Sequence, residues 1–211
     1  MKQERLDTLA DSIFAIVMTL LVIELKVPQL PSAISNIQLW NAIQTIYPVF
    51  ISYLLSFAVL FTYWRSHHFI SSVYAKNIDL KFTTINALFL FFVALIPFSA
   101  HLLGRYTDTQ LAIAIYGLNV ICIGLSLLWM RSHVFRSKTI MNLELKPREK
   151  YGSTIRLLLP VICAIAAIAL SFYNTLLSII LFTFAIIFNL FAKSTSLIIW
   201  FLEKMIRIKS K

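Results

Sequence analysis

The chain has 211 residues, of which 59% are hydrophobic and only 13% charged, with a formal net charge of +10 and a mean hydropathy of +0.82. Soluble domains are about a quarter charged, so this composition excludes an ordinary soluble domain. Apolar runs of about 17 residues or more, without strand-like alternation, exclude a transmembrane β-barrel and predict an all-α, polytopic protein embedded in a lipid bilayer.

The first span is expected at about 8–27. It opens in charge at Arg5, becomes almost wholly apolar after Asp11, and closes on Glu24, Lys26 and Pro28. A helix from Thr8 to Val27 is roughly 30 Å long, the thickness of a hydrocarbon core. With Ile16 at zero on a wheel of about 100° per residue, Leu20, Ile23 and Ser12 fall within roughly 40° and Thr19 within about 60°. Asp11 falls near the opposite side, at about 140° on the same wheel. One face therefore offers small hydroxyls and branched apolar groups, and another a carboxylate one turn inside the apolar run. No small-residue cleavage site follows, so the run reads as a span and not as a signal peptide.

Further spans are predicted at about 44–65, 79–102, 109–130, 155–172 and 175–200, making residues 1–211 a single six-helix transmembrane domain. Pro28 and Pro31 stop the first helix and begin an uncharged loop. The second span ends in Trp64-Arg65-Ser66-His67-His68, and the third holds Asn86 near its start and Pro97 near its far end. Residues 131–156 form the most basic segment, and Tyr173-Asn174-Thr175 reads as a tight hairpin. The last span contains Lys193; it either continues or ends there, with Leu197 to Ile208 as an amphipathic surface helix. Basic residues at both termini and in the 2–3 and 4–5 loops far outnumber Lys26 and Arg105, which places both termini in the cytoplasm. The charge thus reports topology and implies no nucleic-acid partner. Cys122 and Cys163 read as buried small hydrophobes.

Motifs for zinc proteases, nucleophile elbows and phosphate-binding loops are missing, and the 4 glycines cannot build a carbonyl filter. No span carries an arginine ladder, and none brings two carboxylates together as a pair. The expectation is a protein that is not an enzyme, without cofactor or structural metal; His67 and His68, adjacent on a helix, do not converge on one ion. Asp11 is the strongest single signal, because a charge within a span costs a few kcal/mol unless it is partnered. Depth suggests a structural polar network of Arg5, Asp11, Trp64, His67 or His68, and Asn86, tying three helices together. A competing reading is a proton pathway or proton-linked secondary transporter using Asp11 and His67. The inverted repeat and midplane polar groups that a transporter would need are not found. The stripe of Ser12, Ile16, Thr19, Leu20 and Ile23 either packs against neighbours or lines a pore.

Arg5-x-x-x-Leu9-Ala10-Asp11 resembles the R-x-x-x-F-S-D signature of the transmembrane-protein-175 family of potassium channels, with Leu9 and Ala10 in place of Phe and Ser. Trp64 to His68 and the segment NIDLKFTTINALFLFFVALIPF are similar to the family's bacterial single-repeat members. The resemblance implies a homotetramer in the cell membrane of a prokaryote, with the first helix of each six-span subunit lining a central pathway that potassium ions cross transiently. It implies apolar constriction rings at Ile16, Leu20 and Ile23. A selective hydroxyl layer is implied at Thr19, with Ser12 as a second hydroxyl on the same face.

Overall fold

The computed structural model describes residues 2–31, 33–137 and 139–142, together with the backbone of residues 147–190 and the side chains of 157–184. Its elements are α1 (Gln3–Ile23), α2 (Asn36–Thr45), α3 (Tyr47–His68), a π-helical turn (Phe69–Tyr74), α4 (Leu80–Ala94), α5 (Ile96–Arg105), α6 (Gln110–Arg136), α7 (Pro147–Ser171) and α8 (Thr175–Leu190). Among the described residues the β-pairing is limited to an isolated antiparallel bridge between Ala75 and Met141. Among the described residues, four segments are long and apolar enough to cross a membrane: Gln3–Ile23, Tyr47–Tyr74, Leu80–Arg105 and Gln110–Arg136. Two shorter apolar stretches follow, Leu157–Ser171 and Thr175–Phe184.

The helices depart from the expected spans for local reasons. α1 begins earlier than expected, at Gln3, and ends at Ile23 ahead of Pro28, whose ring pushes the chain before it into extended geometry. The first loop is not irregular throughout. Ser35 accepts from the Gln38 N–H, and the Gln38 side chain accepts from the Ser35 N–H, a reciprocal capping box that starts α2. Pro48, near the start of α3, separates it from α2 at Ile46. Pro97 does the same at Leu95, so the expected third span is two helices, α4 and α5, because a proline lacks the N–H that would continue the ladder. α6 runs to Arg136, beyond the expected end. The end of the expected last span, Lys193, and the Leu197 to Ile208 segment lie outside the described residues.

Contacts fix which ends lie together. Gln3 donates to the Ser71 carbonyl. Lys76 N–H donates to Ile140 O at 2.7 Å, and His133 Nε2 lies 2.9 Å from Asp79. The N-termini of α1 and α4 and the C-termini of α3 and α6 therefore share one end of the bundle, called here the N-terminal end. At the other end His101 Nδ1 lies 2.9 Å from Glu24 Oε2, out of line for a hydrogen bond. Asp79 caps α4 by accepting from the Phe82 N–H at 2.7 Å. Partial burial pushes its carboxyl up, but the Phe82 N–H and His133 outweigh that and hold it below the usual carboxylate value.

α6 is the central pole, packed against α4, α5 and α7, while α3 packs against α1, α5 and α8. Polar groups join these helices where backbones approach. Tyr63 donates to Val120 O at 2.9 Å, Ser52 to Ala100 O at 2.8 Å, and Asn119 to the Ser99 hydroxyl at 3.1 Å. α3 and α5 approach closely at Gly104. A Cβ added there would stand 2.8 Å from Val49 Cα and 2.6 Å from Ser52 Oγ, and the backbone cannot yield as a flexible side chain can. Gly104→Ala is expected to cost about 1–3 kcal/mol by overpacking, read as a lowered thermal unfolding midpoint in detergent; an unchanged midpoint would show that α3 and α5 separate freely here.

Candidate functional site

α1 sits at one edge of the bundle against α3, α4 and α5. Its inward face is Leu6, Ala10, Phe14, Val17 and Leu21, all buried. These recur at helical spacing and leave the opposite face uncovered: Ile16 is 57% exposed, Leu20 42% and Ile23 63%. Ser12 and Thr19 lie on the same uncovered side. The structure thus brings the whole stripe to one face that no described part of the chain covers. The hydroxyls there are turned inward to their own helix. Ser12 donates to Thr8 O at 2.8 Å, and Thr19 Oγ1 lies 2.8 Å from Ile16 O and 3.0 Å from Ala15 O. With its proton so occupied, the Thr19 oxygen keeps lone pairs for an outside partner.

The polar residues behind this face form two separate pairs. Trp64 Nε1–H donates to Asp11 Oδ1 at 2.8 Å at the exposed rim between α1 and α3, and the Trp64 ring stacks on His68, centroids 6.2 Å apart. His67 Nε2 lies 2.7 Å from Asn86 Oδ1 in the buried interior. The His67 ring lies parallel to Phe89 at 5.2 Å, and Phe89 meets Phe14 of α1 at 5.8 Å. α1, α3 and α4 are thus joined through His67, Asn86, Phe89 and Phe14. Asp11 is exposed and turned toward the rim, away from His67's bond to Asn86. Arg5 is exposed on the first turns of α1, with no side-chain hydrogen bond or ion pair among the described residues. Cys122 and Cys163 are half-buried and unpaired with each other.

Sequence reasoning missed the anchor of α1 at the π-helical turn. Asp7 accepts from the hydroxyls of Ser71 and Ser72, and Gln3 donates to the carbonyls of Ser71 and, at 3.5 Å, Ala75. A π-helical turn widens the helix and offers carbonyls that a regular turn would consume. The available signal was Asp7 itself, four residues before Asp11 and on the same helix face. The Glu24–His101 contact was also missed, although both residues fall at the far ends of the expected spans 8–27 and 79–102.

The family profile for the endosomal/lysosomal potassium channel TMEM175 matches residues 5–97, which hold α1 to α4 and the start of α5. The fold superposes on the crystal structure of a lysosomal potassium-selective channel TMEM175 homolog from Chamaesiphon minutus with a TM-score of 0.74 and 27% identity, covering 89% of this chain and 95% of that one. Over residues 5–97 the chain is similar to the TMEM175 family. The chain is also similar to a potassium channel of Chryseobacterium sp. strain P1-3, 28% identical over 179 residues, 85% of this chain and 88% of that protein. A potassium channel of Chamaesiphon minutus is 36% identical over 102 residues, about half of each chain (48% and 49%). The residues matched by the family profile contain the uncovered face of α1 and both polar pairs behind it.

Proposed function

We propose that this chain is one subunit of a potassium-permeable cation channel in a prokaryotic cell membrane, assembled as a homotetramer of six-span subunits with both termini in the cytoplasm. In this reading the uncovered face of α1 lines a central pathway. Ile16, Leu20 and Ile23 form successive apolar rings, and Thr19, with Ser12, supplies hydroxyl oxygens. The observation that carries the reading is the asymmetry of α1: one face is buried in its own subunit, while branched apolar groups and hydroxyls on the other are covered by no described element. Such an apolar constriction passes ions by wetting and dewetting, and weak binding lets the ion leave. The names of the similar proteins support potassium as the permeant ion. Asp11, Trp64, His67, His68 and Asn86 serve to fix α1 against α3 and α4, while Arg5 takes no part in that contact.

Purified protein in liposomes should pass potassium whether or not a proton gradient is present. Cysteines at Ile16, Leu20 and Ile23 should react with small water-soluble thiol reagents or block flux on modification, while cysteines at Met18 and Leu25 should not. Equal reactivity on both sides of α1 would remove the pore assignment. Flux that requires a proton gradient would favour a proton-linked transporter using Asp11 and His67.

A further inference from the structure

A cavity of about 580 Å³ lies in the half of the bundle away from the N-terminal end, between the start of α3, the end of α5 and α8. Ile51, Leu55, Leu103, Ile179 and Ile180 form much of its wall. The hydroxyls that reach the wall are already satisfied: Ser52 donates to Ala100 O at 2.8 Å, and Thr183 to Ile179 O at 2.8 Å. Water in a cavity needs two or more polar partners, and the hydroxyl protons of Ser52 and Thr183 on this wall are already committed. Polar character returns at one end, where Thr107 and Asp108 follow α5 and Tyr47 begins α3, at the level where the helices leave the apolar slab. Asp108 is exposed and is the sole charged side chain among the described lining residues.

An apolar chamber ending in one carboxylate at the membrane boundary has the polarity of a phospholipid with a cationic headgroup. The size lies within the roughly 300–1,000 Å³ of small-ligand sites. α8 exposes Leu176 and Ile180 beside it, which leaves a lateral route from the bilayer. We propose that the cavity holds one acyl chain of an aminophospholipid, with the lipid's ammonium group on the Asp108 carboxylate. An anionic headgroup such as phosphatidylglycerol meets only repulsion from Asp108, and a choline headgroup carries no N–H to donate to it. The site requires membrane embedding and is independent of whether the protein conducts potassium.

The test is native mass spectrometry of the full chain, purified in mild detergent and supplied with phosphatidylethanolamine, phosphatidylcholine or phosphatidylglycerol of identical acyl chains. The parent protein should retain phosphatidylethanolamine several-fold over the other two. Asp108→Asn should abolish that preference while some lipid remains bound. Ile180→Trp should displace lipid of every headgroup by filling the chamber, and Leu176→Trp, one turn earlier on the exposed side of α8, should do the same if the first variant is poorly expressed. Equal retention of the three lipids by the parent overturns the headgroup assignment. Undiminished retention in both tryptophan variants overturns the cavity as the site. Loss of all lipid from the parent, with Leu176→Cys cross-linking to a second copy, would make this face a subunit contact and end the lipid proposal.

Discussion

Leu20→Ala should raise single-channel conductance and weaken discrimination between potassium and sodium. Ile16, Leu20 and Ile23 recur at i, i+4 and i+7, so in the proposed tetramer each helix presents them at three successive levels. An ion crossing such a ring must squeeze or shed its hydration, and a branched alkyl group replaces none of the lost oxygens. Trimming the middle ring admits water. If that ring contributes ~1.4 kcal/mol to the barrier, conductance rises about tenfold. Thr19 lies between the first two rings, and its proton is held by the carbonyls of Ala15 and Ile16. Thr19→Val keeps the shape and removes the oxygen, so it should lower the potassium preference with little loss of stability. Reversal potentials under opposed potassium and sodium gradients measure both effects. If the ratio stays at its parent value in both variants, the selective constriction lies elsewhere than on α1.

His67→Leu should be among the most destabilising single changes in the chain. It preserves most of the volume stacked on Phe89 but leaves Asn86 Oδ1 buried without a partner. An orphaned buried acceptor costs about 1–3 kcal/mol, whereas hydrogen bonds between membrane helices are worth about 0.6 kcal/mol on average. The loss should therefore come mainly from the stranded group, and not from the bond itself. Asn86→Leu should cost a similar amount, and the double variant should recover part of the loss because both polar groups are gone. A thermal-unfolding cycle on the four proteins measures the coupling. Additive losses would mean that the two side chains do not depend on each other. By contrast, Asp11→Ala removes an acceptor at the exposed rim, where water can satisfy the freed Trp64 N–H, so a smaller cost of about 1 kcal/mol or less is expected. A His67→Leu protein that unfolds like the parent but loses only proton-coupled flux would point to the transporter reading instead.

The all-helical class, the membrane setting and the stripe on α1 were legible in the sequence. Each rests on short-range physics: the length of an apolar run against the thickness of a bilayer, and the angle of about 100° per residue that sorts side chains onto faces. The same periodicity that grouped Ile16, Leu20 and Ile23 also grouped Phe14, Val17 and Leu21. It could not say which group meets the subunit core, because two apolar faces of one helix look alike until their neighbours are placed. Only the tertiary structure decided that Phe14 packs on Phe89 while Ile16 stays uncovered. Helix ends were equally hard to read. Pro97 announced a break without telling whether it would kink one helix or divide two, and the capping box at Ser35 was a local signal passed over inside an apparently irregular loop. Partners of the polar residues depended on the third dimension most of all. Depth alone set Asp11, Trp64, His67 and Asn86 at one level, but a hydrogen bond also requires azimuth. The rotation of α3 sends Trp64 outward to Asp11 and His67 inward to Asn86, and the widening of its last turn brings Ser71 to Asp7. A single helix's sequence carries its own angles; the angle between helices comes from how their side chains interlock, and that is where one expected network became two pairs.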